Sequence, residues 1–136
     1  MGLCIEGGCL CGAVRYRATA PPVSRSICHC RTCRRASGAP SVAWSTFHMD
    51  AFAFIAGTPL WYQSSPEVVR SFCGNCGTPL TYRHADDVDT LDITTASLDS
   101  PEQFPPTKET WIEHKLPWER LDEATRHYQR SSTNNG

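Results

Sequence analysis

The sequence has no large excess of charge of either sign and no long apolar run. It contains 13 lysines and arginines against 14 aspartates and glutamates, a formal net charge of −1, so electrostatics gives no reason to expect a nucleic-acid partner. No apolar stretch approaches the roughly 20 residues of a membrane-spanning helix. The first residues, MGLCIEGGCLCG, lack the charged and apolar segments of a signal peptide. We therefore expect a cytoplasmic protein that acts without a membrane or nucleic acid.

Helical patterns are scarce as well. The stretch AVRYRAT (13–19) alternates apolar and polar side chains with the period of a half-buried strand, and similar β-branched or aromatic runs recur about every 8–12 residues. This spacing predicts a β-sandwich or a related mainly β architecture with little helix. We expect one domain over 1–130 and a flexible tail over 131–136, with a short helix in the first half of 121–136.

Cysteine, by contrast, is abundant. Seven of the eight cysteines fall in three tight groups with the spacings C-x-C, C-x-C-x-x-C and C-x-x-C. The groups are Cys9 and Cys11; Cys28, Cys30 and Cys33; and Cys73 and Cys76. Cysteines two positions apart rarely meet disulfide geometry with each other, whereas such spacings gather thiolates onto a metal. The pattern favours zinc over four disulfides and leaves Cys4 as a small apolar residue in a strand.

Counting ligands divides the seven cysteines between two sites. The two groups that hold a pair each together supply the four sulfur ligands of a closed, structural zinc site. The middle group supplies three ligands, and three protein ligands with one open position are typical of a catalytic zinc. A rival division joins Cys30 and Cys33 to Cys73 and Cys76 as a zinc ribbon and leaves Cys9 and Cys11 with only Cys28 and Cys4 to complete a second site. Spacing alone keeps both divisions open.

Three motifs carry a resemblance to a known family. They are GGCLCGAVRY (7–16), CHCRTCRRASGAP (28–40) and FCGNCGTPLTY (72–82), with weaker matches in TASLDSPEQF (95–104) and WIEHKLPW (111–118). In this order and spacing the sequence resembles the glutathione-dependent formaldehyde-activating enzymes, a family also known through centromere protein V. The resemblance implies a mainly β, two-sheet fold of the carbon–sulfur lyase type with two zinc sites. It assigns Cys9, Cys11, Cys73 and Cys76 to the structural zinc and Cys28, Cys30 and Cys33 to the catalytic zinc.

The activity that the resemblance implies joins formaldehyde to glutathione as S-hydroxymethylglutathione, or reverses that reaction. Arg34 and Arg35 follow the last catalytic cysteine directly and are candidates to bind a glutathione carboxylate, because a guanidinium matches a carboxylate in two hydrogen bonds. Their alternative role is that of solvated surface arginines. Ser37 closes the same loop and is a secondary candidate for substrate contact. His29, between two ligands, is considered as a ligand, an acid–base group or an orienting residue.

Three function classes follow from these features. The leading one is a zinc-dependent carbon–sulfur lyase that acts on a glutathione or other thiol adduct of formaldehyde or another small aldehyde. The second is a non-catalytic zinc-binding module that binds a partner, and the third is a thiol-scavenging protein whose metal-free cysteines oxidise readily. Two zinc ions per chain would favour the first two classes over the third.

Overall fold

A computed structural model of the protein describes residues 2–132, which form strands joined by turns and one short α-helix. The strands are β1 (Ile5–Gly8), β2 (Arg15–Ala18), β3 (Ser24–Cys28), β4 (Val42–His48), β5 (Phe52–Ala56), β6 (Leu60–Ser65), β7 (Val68–Phe72), β8 (Pro79–His84), β9 (Thr90–Thr94), β10 (Lys108–Thr110) and β11 (Arg126–His127). The helix α1 spans Arg31–Ser37, and short 3-10 turns span Met49–Ala51, Thr95–Ser97, Pro101–Gln103 and Ile112–His114.

The strands form two sheets. The smaller has the order β1-β2-β5 and the larger the order β11-β10-β3-β4-β9-β8-β7-β6. Neighbouring strands are antiparallel except β10, which runs parallel to both β3 and β11. The prediction of a mainly β, two-sheet fold with little helix is confirmed.

The principal core joins the two sheets. Tyr16 of β2 is buried in one cluster with Phe47 of β4, Leu80 of β8 and Ile93 of β9. Burying each of these side chains contributes about 1.5–3 kcal/mol. The alternation predicted for 13–19 is present, because Tyr16 and its neighbours at even positions are buried while Arg17 is exposed.

The prediction of a helix within 121–136 is wrong for the described residues. Instead, Arg126 N–H donates to Thr107 O at 3.0 Å and Tyr128 N–H donates to Glu109 O at 2.9 Å, which adds β11 to the large sheet. These tertiary hydrogen bonds outweigh the local helix propensity. Residues 133–136 of the expected tail lie outside the described part of the chain, and both the tail and the single domain stay predictions. No helix within 2–132 is long and apolar enough to cross a membrane.

Candidate metal centres

Two groups of cysteine sulfur atoms lie together, each compact enough to hold a metal ion. One contains Cys9, Cys11, Cys73 and Cys76, the other Cys28, Cys30 and Cys33, and within each group the Sγ atoms all lie within 4.8 Å of one another. All eight cysteines, which lie within the described residues, are free thiols. The structure therefore brings the cysteines together as four and three, and it does not form the zinc-ribbon grouping.

The four-cysteine group joins two turns. Cys9 and Cys11 lie between β1 and β2, whereas Cys73 and Cys76 lie between β7 and β8. The Sγ atom of Cys11 is 3.6 Å from that of Cys9 and 3.8 Å from that of Cys73. A tetrahedron with Zn–S bonds of about 2.3 Å has edges of about 3.8 Å, so this spacing fits zinc. A bound ion would link the small sheet to the large one.

Amide groups point at the sulfur atoms of the four-cysteine group. The pairs are Val14 N with Cys9 Sγ (3.2 Å), Asn75 N and Cys76 N with Cys73 Sγ (3.4 Å each), and Asn75 Nδ2 with Cys11 Sγ (3.2 Å). Hydrogen bonds from Thr78 lower the pKa of Cys76 to about 5. Gly77 completes the turn in the left-handed region, with φ of 82°, where a side chain would be strained. These donors favour the thiolate form that binds metal.

The three-cysteine group is local in sequence. Cys28 ends β3, Cys30 is the N-cap of α1, and Cys33 lies in the first turn of that helix. The Sγ atom of Cys30 accepts the N–H of Cys33 at 3.3 Å. Hydrogen bonds from Cys28 and Cys33 lower the pKa of Cys30. Among the described residues no fourth Cys, His, Asp or Glu donor joins the group.

His29 turns away from the cysteines on either side of it. Its side chain is 1% exposed, and Nε2 lies 2.7 Å from Oε1 of Glu109 on the neighbouring strand β10. The His29 backbone N–H also donates to Thr110 O at 3.0 Å. Because its ring nitrogens lie outside the metal-binding group, the geometry favours an orienting role for His29 over ligation.

Glu109 is itself buried, and both of its carboxylate oxygens accept hydrogen bonds. Its Oε2 atom accepts the N–H of Asp122 and the hydroxyl of Thr125, both at 2.8 Å. Burial raises the pKa of Glu109, but the hydrogen bonds from His29, Asp122 and Thr125 outweigh it and hold the pKa below its ordinary value. The carboxylate thus connects the Cys28–Cys33 loop to the C-terminal segment.

A cleft of about 700 Å³ opens beside Cys33. Its apolar walls include Val42, Trp44, Phe72 and Pro79. None of the residues that line it, all of them within 2–132, is an aspartate or glutamate. Of the three cysteines, Cys33 is the one that lines the cleft, so a small molecule in the cleft could reach the group at Cys33.

The predicted substrate residues occupy different places. Arg35 is exposed and lines the cleft, but Arg34 does not line it. The Nε atom of Arg34 is buried and has no hydrogen-bond partner among the described residues. Ser37 lines the cleft, although its hydroxyl donates to Cys33 O at 2.7 Å. Of the three, Arg35 is the one placed to meet a charged group in the cleft.

Sequence reasoning missed Arg70, which lines the cleft from β7 and is 8% exposed. Its Nη2 atom lies 3.7 Å from Cys33 Sγ. The available signal was a charged residue in the apolar strand pattern EVVRSF (67–72), at a position that shares a sheet face with Val68. An arginine there is buried, and a buried charge needs a partner.

The sequence model of the glutathione-dependent formaldehyde-activating enzymes matches residues 4–114, a range that contains both cysteine groups. The chain belongs to this family. A fission-yeast relative (Schizosaccharomyces pombe) described as an uncharacterized lyase is 35% identical over 79 residues. That match covers 58% of this chain and 57% of the relative, so the chain spans little more than half of that protein's length.

The fold has a counterpart among solved structures. A crystal structure of a Rhodobacter sphaeroides protein, a structural-genomics target, superposes with a TM-score of 0.64 at 20% sequence identity. The alignment covers 77% of this chain and 99% of that chain. At 20% identity, this similarity shows that the two proteins share a fold.

Proposed function

We propose that the protein is a zinc-dependent carbon–sulfur lyase that makes or breaks the bond between a thiol sulfur and the carbonyl carbon of a small aldehyde. Glutathione and formaldehyde are the proposed reactants, following the family to which the chain belongs. The observation that carries the proposal is the cleft that opens beside a three-cysteine group lacking a fourth protein donor within the described residues. The relative described as a lyase supports the same reaction class.

The two cysteine groups have different proposed tasks. Cys9, Cys11, Cys73 and Cys76 would hold a structural zinc that fastens the two sheets together, and Cys28, Cys30 and Cys33 would hold the catalytic one. A zinc ion held by three thiolates would keep one position open, where it would lower the pKa of a thiol or polarise a carbonyl oxygen. These ligands must stay reduced, so we place the protein in a reducing compartment such as the cytoplasm.

The residues of the cleft have the charge to orient an anionic thiol. Arg35 at the rim can bind a carboxylate of glutathione in two hydrogen bonds. Arg70 adds a second cation, and no carboxylate among the lining residues offsets either one. Ser37 holds the carbonyl of Cys33 and so fixes the helix that carries this ligand. Close placement of the two reactants supplies much of the rate gain.

The addition balances without an oxidant or reductant. The thiol sulfur forms a bond to the aldehyde carbon, the carbonyl π electrons become an oxygen lone pair, and the thiol proton ends on that oxygen. The reverse reaction breaks the carbon–sulfur bond and returns the same proton. The cleft residues serve both directions, because each requires the same alignment of sulfur and carbon.

The test measures exchange, because glutathione and formaldehyde also combine spontaneously. NMR exchange spectroscopy on an equilibrium mixture would report interconversion with S-hydroxymethylglutathione in the presence of zinc-replete protein. We expect the wild type to accelerate exchange and Cys30→Ser to lose the acceleration. Cys4→Ser is the matched control, since Cys4 is exposed, contacts Glu6 and belongs to neither group. A wild type without acceleration, or a Cys30→Ser protein as active as the wild type, would refute the proposal.

A further inference from the structure

Arg70 is fixed in place by contacts to three parts of the fold. Its Nε donates to Ser64 Oγ on β6 at 3.0 Å, and Nη2 donates to Thr32 Oγ1 on α1 at 3.3 Å. The guanidinium lies 4.9 Å from the centre of the Tyr82 ring on β8. Nη1 and Nη2 approach Cys33 Sγ at 3.9 and 3.7 Å. The charge is therefore held against one sulfur of the three-cysteine group.

No carboxylate within 2–132 lies at ion-pair distance from this guanidinium. A buried charge without an opposite charge is costly. The sulfur of Cys33 is the anion that the geometry offers, since a thiolate is the metal-binding form of cysteine. The position of the guanidinium over the Tyr82 ring adds a cation–π attraction.

The two cysteine groups differ in the donors that surround them. Around the four-cysteine group the nitrogen donors are uncharged amides, among them the backbone N–H groups of Val14, Asn75, Cys76 and Thr78 and the side-chain amide of Asn75. Around the three-cysteine group the structure shows one backbone N–H, that of Cys33, together with the cationic Arg70. A full positive charge therefore accompanies the group that has an open side.

We infer that Arg70 is a positioning residue of the three-cysteine site, which through Cys33 offsets one negative charge and so allows the site to accept an anionic fourth ligand, such as the thiolate of a substrate. This inference rests on the proposed function. Three thiolates around a divalent ion leave a net charge of −1, and a thiolate in the fourth position makes it −2. Arg70 returns the charge to −1, whereas a neutral fourth ligand needs no such compensation.

This difference between ligands separates an electrostatic role from a merely structural one. If Arg70 only fastened α1 to the sheet, its loss would disturb anionic and neutral ligands alike. If it offsets charge, its loss would weaken an anionic ligand selectively. A charge-assisted hydrogen bond corresponds to a change of about tenfold or more in affinity.

The experiment uses the full chain with Co²⁺ in place of zinc, because the visible spectrum of cobalt reports the ligands around it. We would titrate 2-mercaptoethanol, which binds as a thiolate, and separately imidazole, which binds as a neutral ligand. The variants are Arg70→Gln, Arg70→Lys and, as matched control, Arg83→Gln. Arg83 is exposed on β8 and is not among the residues that line the cleft. It lies on the opposite face of β8 from Tyr82.

We expect Arg70→Gln to bind 2-mercaptoethanol at least about tenfold more weakly, with an unchanged response to imidazole. Arg70→Lys should recover part of the loss because it keeps the charge, and Arg83→Gln should match the wild type. If Arg70→Gln fails to hold the second cobalt, Arg70→Lys carries the test, and a smaller weakening of 2-mercaptoethanol binding with an unchanged response to imidazole is the expected result. Equal weakening of both ligands, or no weakening of the thiolate, would overturn the inference alone. A wild type that takes up only one cobalt would overturn the proposed function and this inference with it.

Discussion

The buried contact between His29 and Glu109 yields the most quantitative prediction. Replacing Glu109 with Ala removes the acceptor of three hydrogen bonds. The hydroxyl of Thr125 keeps a second acceptor, Asp122 O at 2.7 Å. The His29 ring loses its acceptor inside the protein, whereas the N–H of Asp122, an exposed residue, loses an acceptor in a partly buried hydrogen bond. An unpaired buried donor costs about 1–3 kcal/mol and a partly buried one costs less, so we expect Glu109→Ala to lower the free energy of unfolding by about 2–4 kcal/mol.

Glu109→Gln separates the hydrogen bonds from the charge. The glutamine carbonyl can still accept from Asp122 and Thr125, while its NH₂ group faces His29 and can donate to the ring if the ring proton moves to Nδ1. Since Nδ1 has no partner among the described residues, this tautomer carries a cost of its own. We expect a loss of about 1–2 kcal/mol, between the wild type and Glu109→Ala.

Urea unfolding at a fixed excess of zinc would measure these differences in the free energy of unfolding. Tryptophan fluorescence, to which the buried Trp44 contributes, would monitor the transition. Native mass spectrometry would count the bound zinc ions. We expect the Glu109 variants to bind zinc about tenfold to hundredfold more weakly at the three-cysteine group, because residues that orient metal ligands have effects of about that size. Glu113→Ala is the control, since its ion pair with Arg130 is exposed and such pairs contribute less than about 1 kcal/mol. Losses below about 1 kcal/mol for both Glu109 variants, or equal losses, would refute this reasoning.

Three further predictions test the rest of the fold. Cys76→Ser should remove one zinc and lower the free energy of unfolding by at least about 3 kcal/mol, because metal binding is coupled to folding; an unchanged zinc count in mass spectrometry would contradict this. Burial raises the pKa of Asp92 to about 6, so its contribution to stability is present at low pH and is lost as the pH rises through about 6. Urea unfolding should therefore show Asp92→Asn gaining up to about 3 kcal/mol on the wild type at pH 8 and nothing at pH 3, and equal pH slopes would show that Asp92 is not the titrating group. Gly57→Ala should lower the free energy of unfolding by more than about 2 kcal/mol, because φ is 69° and a Cβ would lie 2.1 Å from Ala13 O. Gly12→Ala, with φ of 80° and nothing within 4 Å of the added Cβ, should lower it by about 1 kcal/mol. Equal shifts in melting temperature for the two variants would contradict the steric explanation.

The features predictable from the sequence were those set by short-range pattern. The alternation around Tyr16 follows from one face of β2 lying on the core, and the cysteine spacings reflect turns that bring sulfur atoms together. Both signals lie within a few residues. The family resemblance carried by the motifs at 7–16, 28–40 and 72–82 then selected the division into four and three.

The remaining features depend on contacts between distant segments. Arg70 meets Cys33 across 37 positions of sequence and His29 meets Glu109 across 80, and no local pattern encodes either pairing. The C-terminal segment has residues that favour a helix, but the carboxylate of Glu109 and the edge of the sheet hold it as a turn and strand. Arg34 and Arg35 are adjacent in sequence, yet only Arg35 lines the cleft, because neighbouring helical positions point in different directions.

The central claim is that carbon–sulfur exchange takes place at the three-cysteine group. The most direct test begins with protein from which a chelator has removed one of the two zinc ions per chain. The chelator should empty the site with three protein ligands before the site with four. The rate of exchange between glutathione, formaldehyde and their adduct is then measured as zinc is returned. We predict no acceleration with one zinc per chain and a rate that rises in proportion to the second equivalent. Full acceleration with only the four-cysteine group filled, or none with both groups filled, would contradict the claim.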